Sequence, residues 1–122
     1  MDKIAITCEE PSLDSQIDPR FGRAAGFLVV EPESMEFEYI DNGSSQVMAQ
    51  GAGIQAAENI SKSGAKILLT GYVGPKAFRG LEAAGIKIGQ NLDSMTVRQA
   101  IEKLKAGDVD FATSSNKEGH WK

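Results

Sequence analysis

Hydrophobic and polar positions change period several times along the chain, and each change marks an element. Lys3–Cys8 is a short β-rich run and predicts a first strand. Glu9–Arg23 holds Pro11, Pro19, Gly22 and several acids, and reads as a long loop. Phe27–Val30 is apolar, Glu31-Pro32 stops it, and Phe37–Ile40 alternates apolar with polar; the short link between the two runs predicts an antiparallel hairpin. Asp41–Gln50 is polar and contains the turn dipeptide Asn42-Gly43. From Gly53 a helix is expected, with Ile54, Ala57 and Ile60 on its inner face and Gly64 at its end.

Lys66–Thr70 predicts a fourth strand, and its unbroken Ile67-Leu68-Leu69 implies burial on both faces. Gly71–Gly74 is a tight turn, and Pro75 suits the first position of a second helix, with Phe78 and Leu81 facing inward and Gly85 ending it. Ile86–Ile88 is a short fifth strand. Thr96 and Gln99 form a capping box before Val97, Ala100, Ile101 and Leu104, whose i, i+3, i+4, i+7 spacing predicts a third helix up to Gly107. The expectation is one α/β domain over residues 1–107, in the order β-β-β-α-β-α-β-α, and a polar C-terminal tail over 108–122.

That order has a geometric consequence. Parallel strands joined by helical crossovers place the Cys8–Arg23 loop, Gly51-Ala52-Gly53, the Gly71–Pro75 turn and Gly89–Thr96 at one edge of the sheet. Three helix N-termini are expected to gather there, each carrying about half a positive charge and unpaired N–H donors. Gly51, Gly53, Gly71 and Gly74 would let a ligand approach the backbone, and Arg20 and Arg23 share the edge. The pattern points to a cleft for a small anion.

Gly51–Ala56 formally fits the dinucleotide fingerprint, but no clear strand immediately precedes it and Thr70-Gly71 stands where the ribose-binding acid belongs. A flexible turn opening a helix and a helix-start anion site are the other readings, and the last is preferred. The sequence has no Walker A, C-x-x-C, H-E-x-x-H or G-x-S-x-G motif. In Asp18-Pro19-Arg20-Phe21-Gly22-Arg23, Phe21 can anchor the loop on the core while the arginines either meet a ligand or stay solvated. Cys8, at the end of the first strand, is either a buried structural thiol or a soft metal ligand; His120 could ligate a metal too, or be a solvated tail residue. Glu9, Glu10, Asp14 and Asp18 match no cation-loop pattern and read as solvated charge.

Composition narrows the field. The 122 residues fit one domain, and a net charge of −4 disfavours general binding to nucleic acid or anionic membranes. A single cysteine allows no intrachain disulfide. The start shows no signal-peptide pattern and no run reaches membrane-spanning length, so a cytoplasmic protein is expected.

Asp18–Arg23, Gly51-Ala52-Gly53, Gly71–Ala77 after a buried strand, and Ala84-Gly85-Ile86 recur in an order that resembles the dinitrogenase iron–molybdenum cofactor biosynthesis family, the NifX-type domain also found at the C-terminus of NifB. The resemblance covers Ile4 to about Leu104. It implies a ribonuclease-H-like three-layer fold with a mixed five-stranded sheet, and binding or carriage of iron–sulfur-type cofactor precursors. Ribonuclease-H chemistry itself needs carboxylates on the central strands, where this chain has Ile4-Ala5-Ile6 and Ile67-Leu68-Leu69, so nuclease activity is not expected.

The reading favoured by the sequence is therefore a non-catalytic carrier of an iron–sulfur or iron–molybdenum cofactor precursor cluster, or a similar small anion, with a protein partner in cofactor assembly. Arg20, Phe21, Gly22, Arg23, Gly51, Ala52, Gly53, Gly71 and Gly74 are the candidate binding residues, and Cys8 and His120 the candidate metal ligands. The alternatives are an enzyme acting on a phosphorylated or carboxylated metabolite, and a regulator that docks on a protein.

Overall fold

The structure, a computed structural model, describes residues 2–43 and 51–116. It is an α/β fold with a mixed five-stranded sheet and three helices: β1 (Ile4–Cys8), β2 (Gly26–Val30), β3 (Phe37–Asp41), α1 (Ala52–Ser63), β4 (Ile67–Leu69), α2 (Pro75–Ala83), β5 (Lys87–Gly89) and α3 (Val97–Lys105). The sheet runs β3-β2-β1-β4-β5. β1 and β2 pair antiparallel, as do β2 and β3, whereas β4 runs parallel to both β1 and β5.

Alternation along each strand sorts the core onto two faces. Ala5, Phe27, Val29, Leu68 and Ile88 meet Ala56, Ala57 and Ile60 of α1 and Ala77, Phe78 and Leu81 of α2. Ile4, Ile6, Leu28, Val30, Ile67 and Leu69 meet Val97, Ala100, Ile101 and Leu104 of α3. Both faces of the central strands are thus covered, which is why β1, β2 and β4 are buried at every position.

α1 and α2 pack through small residues. A β-carbon added at Gly53 would lie 3.0 Å from that of Ala77, and one at Gly80 would lie 3.8 Å from that of Ala57. This seam brings the starts of the two helices together.

The expected inner face of α1 needs one correction. Ile54 is 46% exposed, and the buried residues are Ala52, Ala56, Ala57 and Ile60. A step of three residues falls about 60° short of a full helical turn, so the series Ile54, Ala57, Ile60 drifts around the helix instead of following one side.

Beyond α3 the chain is seated on the sheet. Phe111 bridges to Gly89, the Ala112 N–H donates to the Ile88 carbonyl at 2.8 Å, and the Lys87 ammonium lies 5.4 Å from the centre of the Phe111 ring. β5 is therefore a covered edge.

At α3 the Thr96 hydroxyl accepts the Gln99 N–H and the Gln99 side chain accepts the Thr96 N–H. Thr96→Ala is expected to lower stability by about 1 kcal/mol in urea unfolding, the usual cost of a lost cap.

Candidate functional site

The Asp18–Arg23 loop is built from the inside outward. The Thr7 hydroxyl donates to the Asp18 carbonyl at 2.8 Å and shares a 2.7 Å hydrogen bond with the Thr70 hydroxyl, tying β1 to the residue after β4. The buried Asp18 carboxylate accepts the Arg20 N–H at 3.0 Å and lies 3.5 Å from Arg20 Nε. This Asx-type turn points an exposed Arg20 outward. Phe21 is buried in the core beneath α1 and α2, the anchor expected of it.

Two close backbone approaches hold this loop against its neighbours. A β-carbon on Gly22 would lie 2.8 Å from the Gly53 nitrogen and 2.9 Å from its α-carbon, so the loop rests directly on the first turn of α1. A β-carbon on Gly71 would lie 2.6 Å from the Pro19 carbonyl oxygen, so the turn before α2 rests on the same loop. The Phe21 N–H donates to the Tyr72 carbonyl at 3.1 Å, and the Tyr72 N–H donates to the Pro19 carbonyl at 2.7 Å. Asp18–Arg23, Gly51-Ala52-Gly53 and Gly71–Gly74 therefore converge. Within them Gly51 and Arg20 are exposed, Gly22, Arg23, Gly53 and Gly74 half-buried, and Phe21, Ala52 and Gly71 buried.

The helix starts are not equivalent. α1 begins on Gly51, at φ 76°, and α2 on Gly74 with Pro75 following, and neither has a side-chain cap. Both can present backbone donors and the positive end of the helix dipole. The start of α3, expected to join them, is closed: the Val97 N–H donates to the Ser15 carbonyl at 2.9 Å, the Arg98 N–H donates to the Leu13 carbonyl at 2.8 Å, and Thr96 takes the Gln99 N–H. The site is built from two helix starts instead of three, because the long loop after β1 folds over the third.

One contributor has no sequence signal. The Asn116 side chain reaches the Gly71–Val73 turn, where its Oδ1 accepts the Val73 N–H at 2.9 Å and its Nδ2 donates to the Gly71 carbonyl at 2.8 Å and to Asn91 Oδ1 at 2.9 Å. A residue 45 positions from Gly71 in sequence fixes the turn. Asn42 has a similar positioning role: its Nδ2 donates to the Ala24 carbonyl at 3.1 Å while its Oδ1 accepts from Asn59 of α1 at 2.9 Å. The signal that could have exposed Asn42 is its place in a turn dipeptide between a strand and a helix.

Of the two candidate metal ligands, one falls among the described residues. Cys8 is fully buried on the α3 face of the sheet, among Ile4, Ile6, Ile17 and Leu28. Burial, with the Asp18 carboxylate adding to it, pushes its thiol from 9.0 up to about 12 against a counteracting hydrogen bond at the Leu28 backbone. The thiolate is the metal ligand, and here the sulfur holds its proton at neutral pH. His120 lies outside the described residues. Among the described residues no group of three or more His, Cys, Asp or Glu side chains is placed to hold a metal ion. Of the acids in the long loop, Asp14 pairs with Arg98 at 3.0 Å and Asp18 is committed to Arg20.

Comparison with known proteins places this geometry in context. A family model described as dinitrogenase iron-molybdenum cofactor matches residues 2–107. The apo form of the orange protein from Desulfovibrio gigas superposes with a TM-score of 0.94 at 58% identity, over 96% of this chain and 98% of that one. A Thermotoga protein provisionally assigned as NifB superposes at 0.81 with 30% identity, over 98% and 100% of the two chains. An uncharacterized protein of Methanocaldococcus jannaschii is 31% identical over 111 residues, 88% of this chain and 89% of that one. Among the described residues no helix is long and apolar enough to cross a membrane.

Gly22→Ala forces backbone atoms apart at the junction and is expected to cost about 2 kcal/mol in urea unfolding; no loss would mean that the loop and α1 are not in contact. The Cys8 thiol titrates higher in the folded chain than in the unfolded one. Its contribution to stability is therefore intact below pH 9 and lost as pH rises toward 12. At about pH 10.5 the wild type should have lost about 2 kcal/mol more than Cys8→Ala, each compared with its own stability at about pH 8, by urea unfolding.

Proposed function

Because the chain belongs to the dinitrogenase iron–molybdenum cofactor family, we propose that it is a non-catalytic carrier whose cargo is a compact, anionic metal–sulfur cluster of the cofactor-precursor type. The observation that carries this reading is the seating of Gly22 on Gly53, which brings the arginine-bearing loop onto a helix start that no side chain caps. A cluster with bridging or terminal sulfides spreads negative charge over weak acceptors. Backbone N–H groups at Gly51, Gly53 and Gly74 suit that charge, and so do the planar, weakly hydrated guanidinium groups of Arg20 and Arg23. Gly71 shapes the cradle from below, while Phe21 and Ala52 hold it by packing.

On this reading the cargo is held by charge and hydrogen bonds, with no bond from Cys8, whose sulfur is protonated and enclosed. The structural relative described as an orange protein with an apo form supports a coloured, removable group in this fold. We read the fold as ribonuclease-H-like, on the sheet order and the helices on both faces. β1 and β4 carry no carboxylate, which supports a carrier over a nuclease. A cytoplasmic setting and an assembly partner that delivers or receives the cluster complete the proposal.

The test is anaerobic titration with tetrathiomolybdate, a compact dianion of molybdenum and sulfide, and separately with a cluster assembled from ferrous iron and sulfide. At least one should bind saturably, with a shifted visible charge-transfer band. Arg20→Ala and Arg23→Ala should each weaken binding about tenfold, equivalent to about 1.4 kcal/mol, and Cys8→Ala should leave it unchanged. Binding of neither probe, or equal binding by the double arginine variant, would overturn the proposal.

A further inference from the structure

Charge is sorted along this chain. From Ala24 to Ser61 there are six acids (Glu31, Glu33, Glu36, Glu38, Asp41 and Glu58) and no lysine or arginine, whereas the remaining residues carry eleven acids and thirteen lysines and arginines. Five of those six acids lie on the β2–β3 hairpin, whose outer strand, β3, is an edge of the sheet. The opposite edge, β5, is covered by Phe111 and Ala112, but no described strand pairs with β3 on its outer side.

The ladder fixes which backbone groups face outward. The Glu31 N–H donates to the Glu36 carbonyl at 2.8 Å and the Asn42 N–H to the Ala25 carbonyl at 2.9 Å. With the register Val30–Phe37 through Gly26–Asp41 between them, residues 36, 38, 40 and 42 bond to β2. The N–H and C=O groups of Phe37, Tyr39 and Asp41 therefore point away from the sheet. Phe37 and Tyr39 are 43% and 38% exposed, and Glu36 and Glu38 are exposed beside them. Next to the strand, a groove of about 330 Å³ is lined by Glu38, Ile40, Asp41, Asn59, Lys62 and Ser63.

We propose that β3 is a docking edge for a basic, extended segment of a partner protein, which adds as a sixth strand. Main-chain bonds to Phe37, Tyr39 and Asp41 would set its register. On one face its apolar side chains would lie over the Phe37 and Tyr39 rings, and on the other its lysines and arginines would meet Glu36 and Glu38 beside the groove. A second copy of this chain is the wrong occupant, because edge-to-edge pairing would set the same acids against one another. This surface shares no residue with the Arg20–Arg23 loop, so a carrier could hold its cargo and its partner together.

The test uses a capped eight-residue peptide of alternating lysine and valine, with a glutamate-for-lysine peptide as control, followed through backbone amide shifts of the full chain. The basic peptide should bind saturably and move the Phe37, Tyr39 and Asp41 amides most, and the acidic peptide should not bind. Phe37→Pro removes one outward donor and no β2 bond, so it should weaken binding at least tenfold while Phe37→Leu does not. The charge reversal Glu36→Lys/Glu38→Lys should weaken it similarly, with unfolding midpoints confirming that every variant is folded. Shifts scattered away from β3, full binding by Phe37→Pro, binding of the acidic peptide, or no saturation would each overturn the proposal.

Discussion

The contact on which the candidate site depends is between two stretches of bare backbone, Gly22 against Gly53. No side chain lies between them, so the separation is set by peptide atoms and cannot relax without moving a loop or a helix. The same logic repeats at Gly71 against Pro19 and, less tightly, at Gly53 against Ala77. Three segments far apart in sequence are thereby locked at one edge of the sheet. Their polar groups converge because glycine and alanine let the chain approach itself closely, with side-chain hydrogen bonds trimming the result.

Capping decides which helix ends can address a ligand. α3 has a full capping box and two further donors closed by the loop after β1, so its dipole is spent within the fold. α1 and α2 start on glycines, and no side chain caps either of them. Arg20 and Arg23 stand on the loop at this edge, whereas five of the seventeen acids lie on the β2–β3 hairpin, whose outer strand is an edge of the sheet. On the proposed reading, this sorting separates the surface for an anionic cargo from the surface for a basic partner.

Much of this was legible in the residues, for reasons that can be named. Alternation in short strands assigns faces, and the capping box and a/d-type spacing of α3 leave little freedom. The turn glycines and Phe21 marked the edge where loops converge. Cys8 shares parity with Ile4 and Ile6, so its burial on the α3 face was readable from strand alternation alone. What was not readable depends on tertiary contacts without a composition signature. The closing of α3 by the Leu13 and Ser15 carbonyls uses backbone acceptors that any residue supplies. Asn116 reaches the Gly71 turn from a polar segment that resembles any solvated terminus. Ile54 misled because a three-residue repeat imitates a helical face over a short window while drifting away from it.

The most direct measurement is the position of molybdenum in a crystal of the protein soaked anaerobically with tetrathiomolybdate, located by its anomalous scattering. Carriage by the converging loops predicts a single strong peak between the Arg20–Arg23 loop and the starts of α1 and α2, with Cys8 sulfur outside bonding distance. A peak bonded to Cys8, or sites distributed over the surface with none at that edge, would contradict it.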